Sequence, residues 1–187
     1  MRLKVLAALL AAAAIPAASL AEETRPVFKL GYDFGGDTLV TANGSTKSIK
    51  ANEGFFMGVG ASIFNDARNV EGELSVSYKF QTIDANNANL QFTRFPFDAL
   101  LFYRQYQYRV GGGLTYHLNP KVQGSGAAAG LNVNYEDALG AILQGDYLFG
   151  TKTAVGLRYT MLEYRATSGA SGTTRGDGFG LVFSMRF

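Results

Sequence analysis

The segment Asp177–Phe187 places Phe179, Leu181, Phe183, Met185 and Phe187 on one side and Gly178, Gly180, Ser184 and Arg186 on the other. A strict two-residue period predicts a strand with one apolar and one polar face, because successive side chains of a strand point to opposite sides. The same alternation marks Val70–Phe80, where Val70, Leu74, Val76, Tyr78 and Phe80 oppose Glu71, Glu73, Ser75, Ser77 and Lys79. It marks Val27–Phe34, where Phe28, Leu30, Tyr32 and Phe34 oppose Lys29, Gly31 and Asp33. Gln107–Leu118, Leu139–Phe149 and Val155–Met161 repeat it, with Arg109, His117, Gln144, Asp146 and Arg158 on their polar faces. Gly54–Phe64 is apolar or small on both faces and Phe97–Tyr103 holds Asp98 among large residues, so these two are strands whose facing the pattern leaves open. The total is eight predicted strands.

The connections sort by length. Asn65–Asn69, Arg104–Tyr106 and Gly150–Lys152 are short, whereas Gly35–Glu53, Gln81–Pro96, Asn119–Ala138 and Arg165–Gly176 are long. Short and long links alternate strictly, as they do in transmembrane β-barrels with short periplasmic turns and longer outer loops. A soluble sandwich or a lipocalin has no physical reason to sort its loops in this way. The long links are rich in Gly, Asn, Ser, Thr and Ala, as in Ala85–Asn89 and Gly124–Gly130, which predicts mobile polar loops.

The two ends agree with this reading. Met1–Ala21 begins with Arg2 and Lys4, continues through the apolar run Val5–Ile15, and closes on Ser19-Leu20-Ala21. That pattern predicts a secretory signal peptide over 1–21, with the mature barrel domain over 22–187. An apolar strand face that runs to the final residue predicts lipid, or an unrelated sheet, as its cover.

Composition then removes several classes of function. The predicted signal holds two of the 17 Lys+Arg residues and none of the 15 Asp+Glu, which leaves 15 of each and no charge-based case for nucleic acid. With no Cys and one His, thiol catalysis, disulfides and a multi-histidine metal site are out of reach, and no metal or other cofactor is expected.

A signal peptide, eight alternating strands and a terminal Phe187 resemble the small eight-stranded outer-membrane barrels of the OmpA-like and OmpX-like group. The resemblance implies an all-β, antiparallel up-and-down barrel, integral to the bacterial outer membrane with both termini periplasmic. It also implies outer-membrane lipids and lipopolysaccharide as surroundings, and recognition of the last strand by the barrel-assembly machinery. Here Phe183, Met185 and Phe187 stand where that assembly signal would be. The absence of Trp departs from the group and leaves any interfacial girdle to Tyr and Phe.

With apolar faces turned to lipid, the polar faces converge in a lumen only wide enough for side chains to fill. The acids there are Asp33, Glu71, Glu73, Asp98 and Asp146, and the bases are Lys29, Lys79, Arg109, Arg158 and Arg186. A balanced set of this kind predicts an internal salt-bridge network, since buried charges are costly unless paired. The expected protein is therefore not an enzyme; it has a structural, envelope-integrity or surface-interaction role and offers its long loops to an extracellular ligand.

Three alternatives have residues behind them. Gly58, Gly60, Ser62, Gly140 and Gln144 are small or polar enough to leave a narrow solute channel. His117 is the weak catalytic candidate, because some eight-stranded outer-membrane enzymes act on lipid A acyl chains with a histidine and a serine. The serine that a lipid A deacylase of this architecture carries two residues after its histidine is Asn119 here, which leaves Ser125 and Glu136 as possible partners. A periplasmic lipocalin-like carrier would turn the apolar faces inward instead. Gly111–Gly113 matches no phosphate loop and predicts relief of crowding or a bulge. Arg94–Asp98 is expected to end a loop, with Pro96 at a rim and its aromatics at the membrane interface.

Overall fold

An amphipathic antiparallel sheet can hide its charged face by curling until the first strand pairs with the last, and this chain does so. The computed structural model describes residues 23–41, 47–85, 87–167 and 172–187. The predicted signal peptide lies outside the described residues. Among the described residues the strands are β1 (Glu23–Gly35), β2 (Thr38–Thr41), β3 (Ser48–Lys50), β4 (Gly54–Phe64), β5 (Val70–Ala85) and β6 (Ala88–Gln105). They continue with β7 (Tyr108–Gly126), β8 (Asn132–Asn134), β9 (Ala138–Phe149), β10 (Thr153–Arg165), β11 (Thr173–Arg175) and β12 (Gly178–Arg186).

Eight of these, β1, β4, β5, β6, β7, β9, β10 and β12, pair antiparallel in sequence, and β12 returns to β1 from Val27↔Arg186 to Gly35↔Gly178. The sheet is closed, so the barrel wall has no unpaired edge at this level. Leu101, Leu143, Leu157, Phe179 and Leu181 project outward and are exposed, while Lys29, Asp33, Glu71 and Glu73 point inward and are buried. This facing excludes the lipocalin-like alternative. It also settles the two ambiguous strands: Phe56, Ser62 and Phe64 of β4 and Asp98, Leu100 and Phe102 of β6 are buried inside, whereas Met57, Val59, Leu101 and Tyr103 are exposed outside.

The long connections need correction. Gln81–Pro96 is not a loop, because β5 and β6 continue as a hairpin to the pair Ala85↔Ala88. Within Asn119–Ala138, β7 runs on to Gly126 and β8 pairs back onto it, Lys121 opposite Asn134. Gly35–Glu53 contains the β2–β3 hairpin. Period-two apolar patterning fades in these stretches because here the sheet rises beyond the barrel proper, so polar residues such as Asn89 and Gln91 sit within paired strands.

Arg94–Asp98 is likewise strand rather than the end of a loop. Pro96 is buried opposite His117, next to a register irregularity between Thr93 and Phe95, and a bulge is where a ladder tolerates proline. Phe95 and Phe97 project outward. The glycine triplet relieves crowding, since its pairing through β9 is unbroken and contains no bulge. Gly113 and Gly111 stand opposite Leu100 and Phe102, and a Cβ at either would strike a backbone carbonyl of β6. The space they free holds Leu100, Phe102 and Ile142, a small apolar cluster inside the barrel.

If the exterior belt meets lipid, a charge on it is penalised by depth. Leu157→Arg, in the middle of β10, is expected to destabilise by about 2–4 kcal/mol and Phe149→Arg at the short-turn rim by about 1 kcal/mol or less. Chemical unfolding of the protein refolded in lipid vesicles measures both.

Candidate functional site

Alternation places the charges of seven of the eight barrel strands in one lumen, β4 contributing none, and there they form three tiers. At the short-turn end Glu71 accepts hydrogen bonds from Ser62 (2.8 Å), Arg104 (3.1 Å), Arg109 (2.7 Å) and Arg186 (2.8 Å). Glu73 pairs with Lys29 at 2.9 Å and Arg109 at 2.8 Å, and Asp146 receives the Arg109 Nε at 2.5 Å. Arg109 also lies over the Phe102 ring, 3.9 Å from its centroid. One guanidinium thus ties β7 to β5, β6 and β9.

In the middle tier Asp98 accepts from Thr115 at 2.6 Å and faces Lys29 at 3.7 Å and Arg158 at 3.5 Å. Asp33 links upward, with Lys79 at 2.5 Å and Arg158 at 3.7 Å. The upper tier is built differently. Arg94 donates Nη2 to the backbone carbonyls of Asn52 and Glu53, both at 2.9 Å, and stacks 4.2 Å from the Phe92 centroid. Lys79 donates to the Asn52 Oδ1 at 3.0 Å, so the segment preceding β4 is held across the mouth from two sides. His117 shares a 2.5 Å hydrogen bond between its Nδ1 and the Tyr164 hydroxyl.

Both mouths are stoppered. At the short-turn end Phe64 is buried between Arg25 and Arg104, whose guanidinium carbons lie 5.8 and 5.1 Å from its ring centroid. At the other end Ile49, Ala51, Leu90, Phe92, Val122, Tyr135, Ala138, Leu162 and Tyr164 make an apolar cap. Burial in this cap raises the Tyr135 hydroxyl above the ordinary tyrosine range. The hairpin of β2 and β3 contributes Ile49 to the cap, and Gln81 braces it by accepting from the Lys50 backbone N–H at 3.1 Å.

All ten charged residues singled out in sequence lie inside, but the balance drawn there changes. Among the described residues five acids (Asp33, Glu71, Glu73, Asp98, Asp146) and six bases (Lys29, Lys79, Arg94, Arg109, Arg158, Arg186) are buried. The addition is Arg94, which sequence reasoning left in a loop; its signal was the inward parity it shares with Asp98 on one strand. The positions that suggested a channel are occupied or crowded. Ser62 binds Glu71, Gln144 donates to Asp146 at 3.0 Å, and a Cβ at Gly58, Gly60 or Gly140 would meet Ser77, Ser75 or Leu162.

His117 is buried, yet neither proposed partner reaches it. Ser125 is exposed near the tip of β7, opposite Asn89, and Glu136 is exposed beyond β8. Phe183, Met185 and Phe187 lie along the outer face of the closing strand, opposite to the inward Val182, Ser184 and Arg186.

No protein-family model matches the chain, and no curated protein matches it in sequence. Its fold does have solved counterparts. The attachment invasion locus protein Ail of Yersinia pestis, in complex with the heparin analogue sucrose octasulfate, superposes with a TM-score of 0.54 at 10% identity over 88% of this chain and 97% of Ail. Neisserial surface protein A superposes with a TM-score of 0.51 at 13% identity over 87% of this chain and 95% of that protein. The chain therefore has the eight-stranded outer-membrane β-barrel fold.

Because Glu71 meets three guanidiniums, Glu71→Gln leaves buried positive charge uncompensated. We expect a loss of about 3–5 kcal/mol, the usual effect of breaking a buried ion pair, against almost none for the exposed Asp66→Asn. Unfolding titrations in detergent micelles compare the two.

Proposed function

We propose that this chain is an integral outer-membrane protein that works through its surface and not through its lumen, in envelope integrity or surface interaction. The observation that carries the reading is the occupied lumen: tiers of paired charge between Phe64 below and the Ile49–Tyr164 cap above. A route for solute would have to break several buried ion pairs and displace an apolar cap, each costly. Acyl hydrolysis at His117 lacks support for a related reason, since its Nδ1 is engaged by Tyr164 and the cap covers it.

In this reading residues 1–21 are a cleaved signal peptide, and both termini and the short turns face the periplasm. The exterior contacts lipid and, at its outer rim, lipopolysaccharide. Phe183, Met185 and Phe187 serve as the assembly signal. The outer extension of β5, β6 and β7 is the surface offered to an extracellular ligand. Ail was solved with a sulfated sugar analogue, which makes polyanions one class to test. The exposed charges around this end of the barrel are mixed, however, with Lys47, Arg165 and Arg175 beside Asp37, Asp84 and Glu136. No single-sign surface favours a polyanion.

The lack of native cysteine makes orientation directly measurable. A cysteine introduced at Ala127 is expected to react with a membrane-impermeant maleimide on intact cells, and one at Asp66 only after the outer membrane is permeabilised. Equal labelling of both on intact cells would reject the orientation. Purified protein in planar bilayers is expected to give no discrete conductance steps; reproducible steps would replace this reading with the channel.

A further inference from the structure

Above the apolar belt the outward side of the sheet changes character. The pairs Thr82↔Gln91, Gln91↔Gln123 and Gln123↔Asn132 set four uncharged polar residues in one row across β5, β6, β7 and β8. Asp84↔Asn89 and Asn89↔Ser125 make a second row, two residues further along the strands. These side chains are exposed or half-buried, while the alternate positions Ile83, Leu90, Val122 and Val133 pack into the cap. The outward face is thus a lattice, with strands about 4.8 Å apart and its two rows about 7 Å apart.

The rows do not serve the fold. Strand pairing engages their backbones, and among the described residues the side chains of Thr82, Gln91, Gln123, Ser125 and Asn132 hydrogen-bond to no other residue. Asn89 alone of the uncharged set is engaged, donating to Asp84 at 2.6 Å. Asn and Asp are disfavoured in strands, yet Asp84, Asn89 and Asn132 all stand in paired strands. A local preference overridden with no gain in packing points to function.

The chemistry of the face selects its partner. Side-chain amides and hydroxyls both donate and accept, as the hydroxyls of a sugar do. Neither row holds a Tyr, Trp or Arg to anchor a protein partner. Asp84 is the one charge within the rows and Lys121 the one beside them on these strands, so no surplus of one sign awaits a polyanion. Position then fixes the source of the sugar. The face continues directly upward on β6 from the exposed Phe95 and Phe97 of the apolar belt, so it fronts whatever stands on the lipid beside the barrel.

We propose that this face binds the uncharged sugars of lipopolysaccharide, the amide rows taking the saccharide side-on while the acyl chains meet the belt below. This rests on the orientation proposed above, which puts the extension outside, and adds to it the residues engaged and the part of the lipid they take.

The test uses the protein in phospholipid nanodiscs and the water-soluble saccharide released from lipopolysaccharide by mild acid. NMR of the side-chain amide groups is expected to show saturable shifts for Gln91, Gln123 and Asn132 as the saccharide is added. No shift at these amides, or equal shifts with sucrose octasulfate in its place, overturns the proposal. Gln91→Thr combined with Gln123→Thr keeps an uncharged, strand-favouring face and is expected to weaken binding about tenfold, as the loss of one or two neutral hydrogen bonds would. Asp84→Asn, which keeps the acceptor for Asn89, is expected to hold affinity within about twofold because an exposed charge contributes little. Unchanged affinity in the double variant, or a tenfold loss in Asp84→Asn, overturns the proposal as well. Binding in nanodiscs does not depend on which way the protein is inserted in cells, so a negative result here is distinguishable from a failure of the orientation under maleimide labelling.

Discussion

A charge moved out of water without a counter-charge costs several kilocalories, and eleven charged side chains are buried inside this barrel among its described residues. Satisfying them is the condition under which the rest of the structure can exist. Glu71, Glu73 and Arg109 meet that condition only when β5, β7 and β12 have closed into one wall, because their partners come from different strands. The ion pairs are thus a consequence of closure and a check on register. A slip of one residue in any strand would turn its carboxylates to the apolar exterior and its leucines into the lumen.

The same constraint explains the shape of the interior. Phe102 and Leu100 find space because Gly111 and Gly113 give theirs up, and Arg109 uses the Phe102 ring as a stacking surface. A small apolar cluster of Leu100, Phe102 and Ile142 packs beside the ion pairs. At the two ends the solutions differ: a single Phe64 between two guanidiniums below, and an apolar cap assembled from several strands and the β2–β3 hairpin above. Between the cap and the paired charges lies Arg94, among the described residues the one buried cation held by carbonyls and a ring in place of a carboxylate. Its position fastens the Asn52–Glu53 backbone over the mouth, which makes the arginine a structural clasp as well as a source of surplus charge.

Outside the lumen, the chemistry is generic by comparison. Exposed Leu, Val, Phe and Tyr side chains supply a belt suited to lipid, and identity to the superposed proteins is only 10–13%, so what is shared is architecture. In the function proposed, specificity would belong to the extension of β5, β6 and β7, where strand pairing continues past the barrel and the side chains are polar. A rigid, hydrogen-bonded projection presents a more defined surface than free loops would, since less conformational entropy is lost when it is bound.

The strands, their number, their closure order and the inward set of ten charges were legible in the sequence because a period of two is a purely local property. Phe179, Leu181 and Phe183 announce a lipid-facing side by position alone, as Glu71, Glu73 and Lys79 announce an inward one. Where both faces are apolar or small, as in Gly54–Phe64, the period carries no sign, and only pairing with β1 and β5 assigns Phe56 and Ser62 to the inside. Arg94 was missed because the bulge at Thr93 and the proline at position 96 read as a break in the strand, whereas the β6–β7 ladder carries the chain through both. The continuation of β5, β6 and β7 was invisible for a different reason: beyond the barrel their polarity no longer alternates, and backbone hydrogen bonding leaves no trace in side-chain type. Where the period of two is clear, the sequence determined which residues face inward. Which of them meet, and that one cation finds no carboxylate, depends on strand stagger around a closed barrel, a long-range quantity that no local pattern encodes.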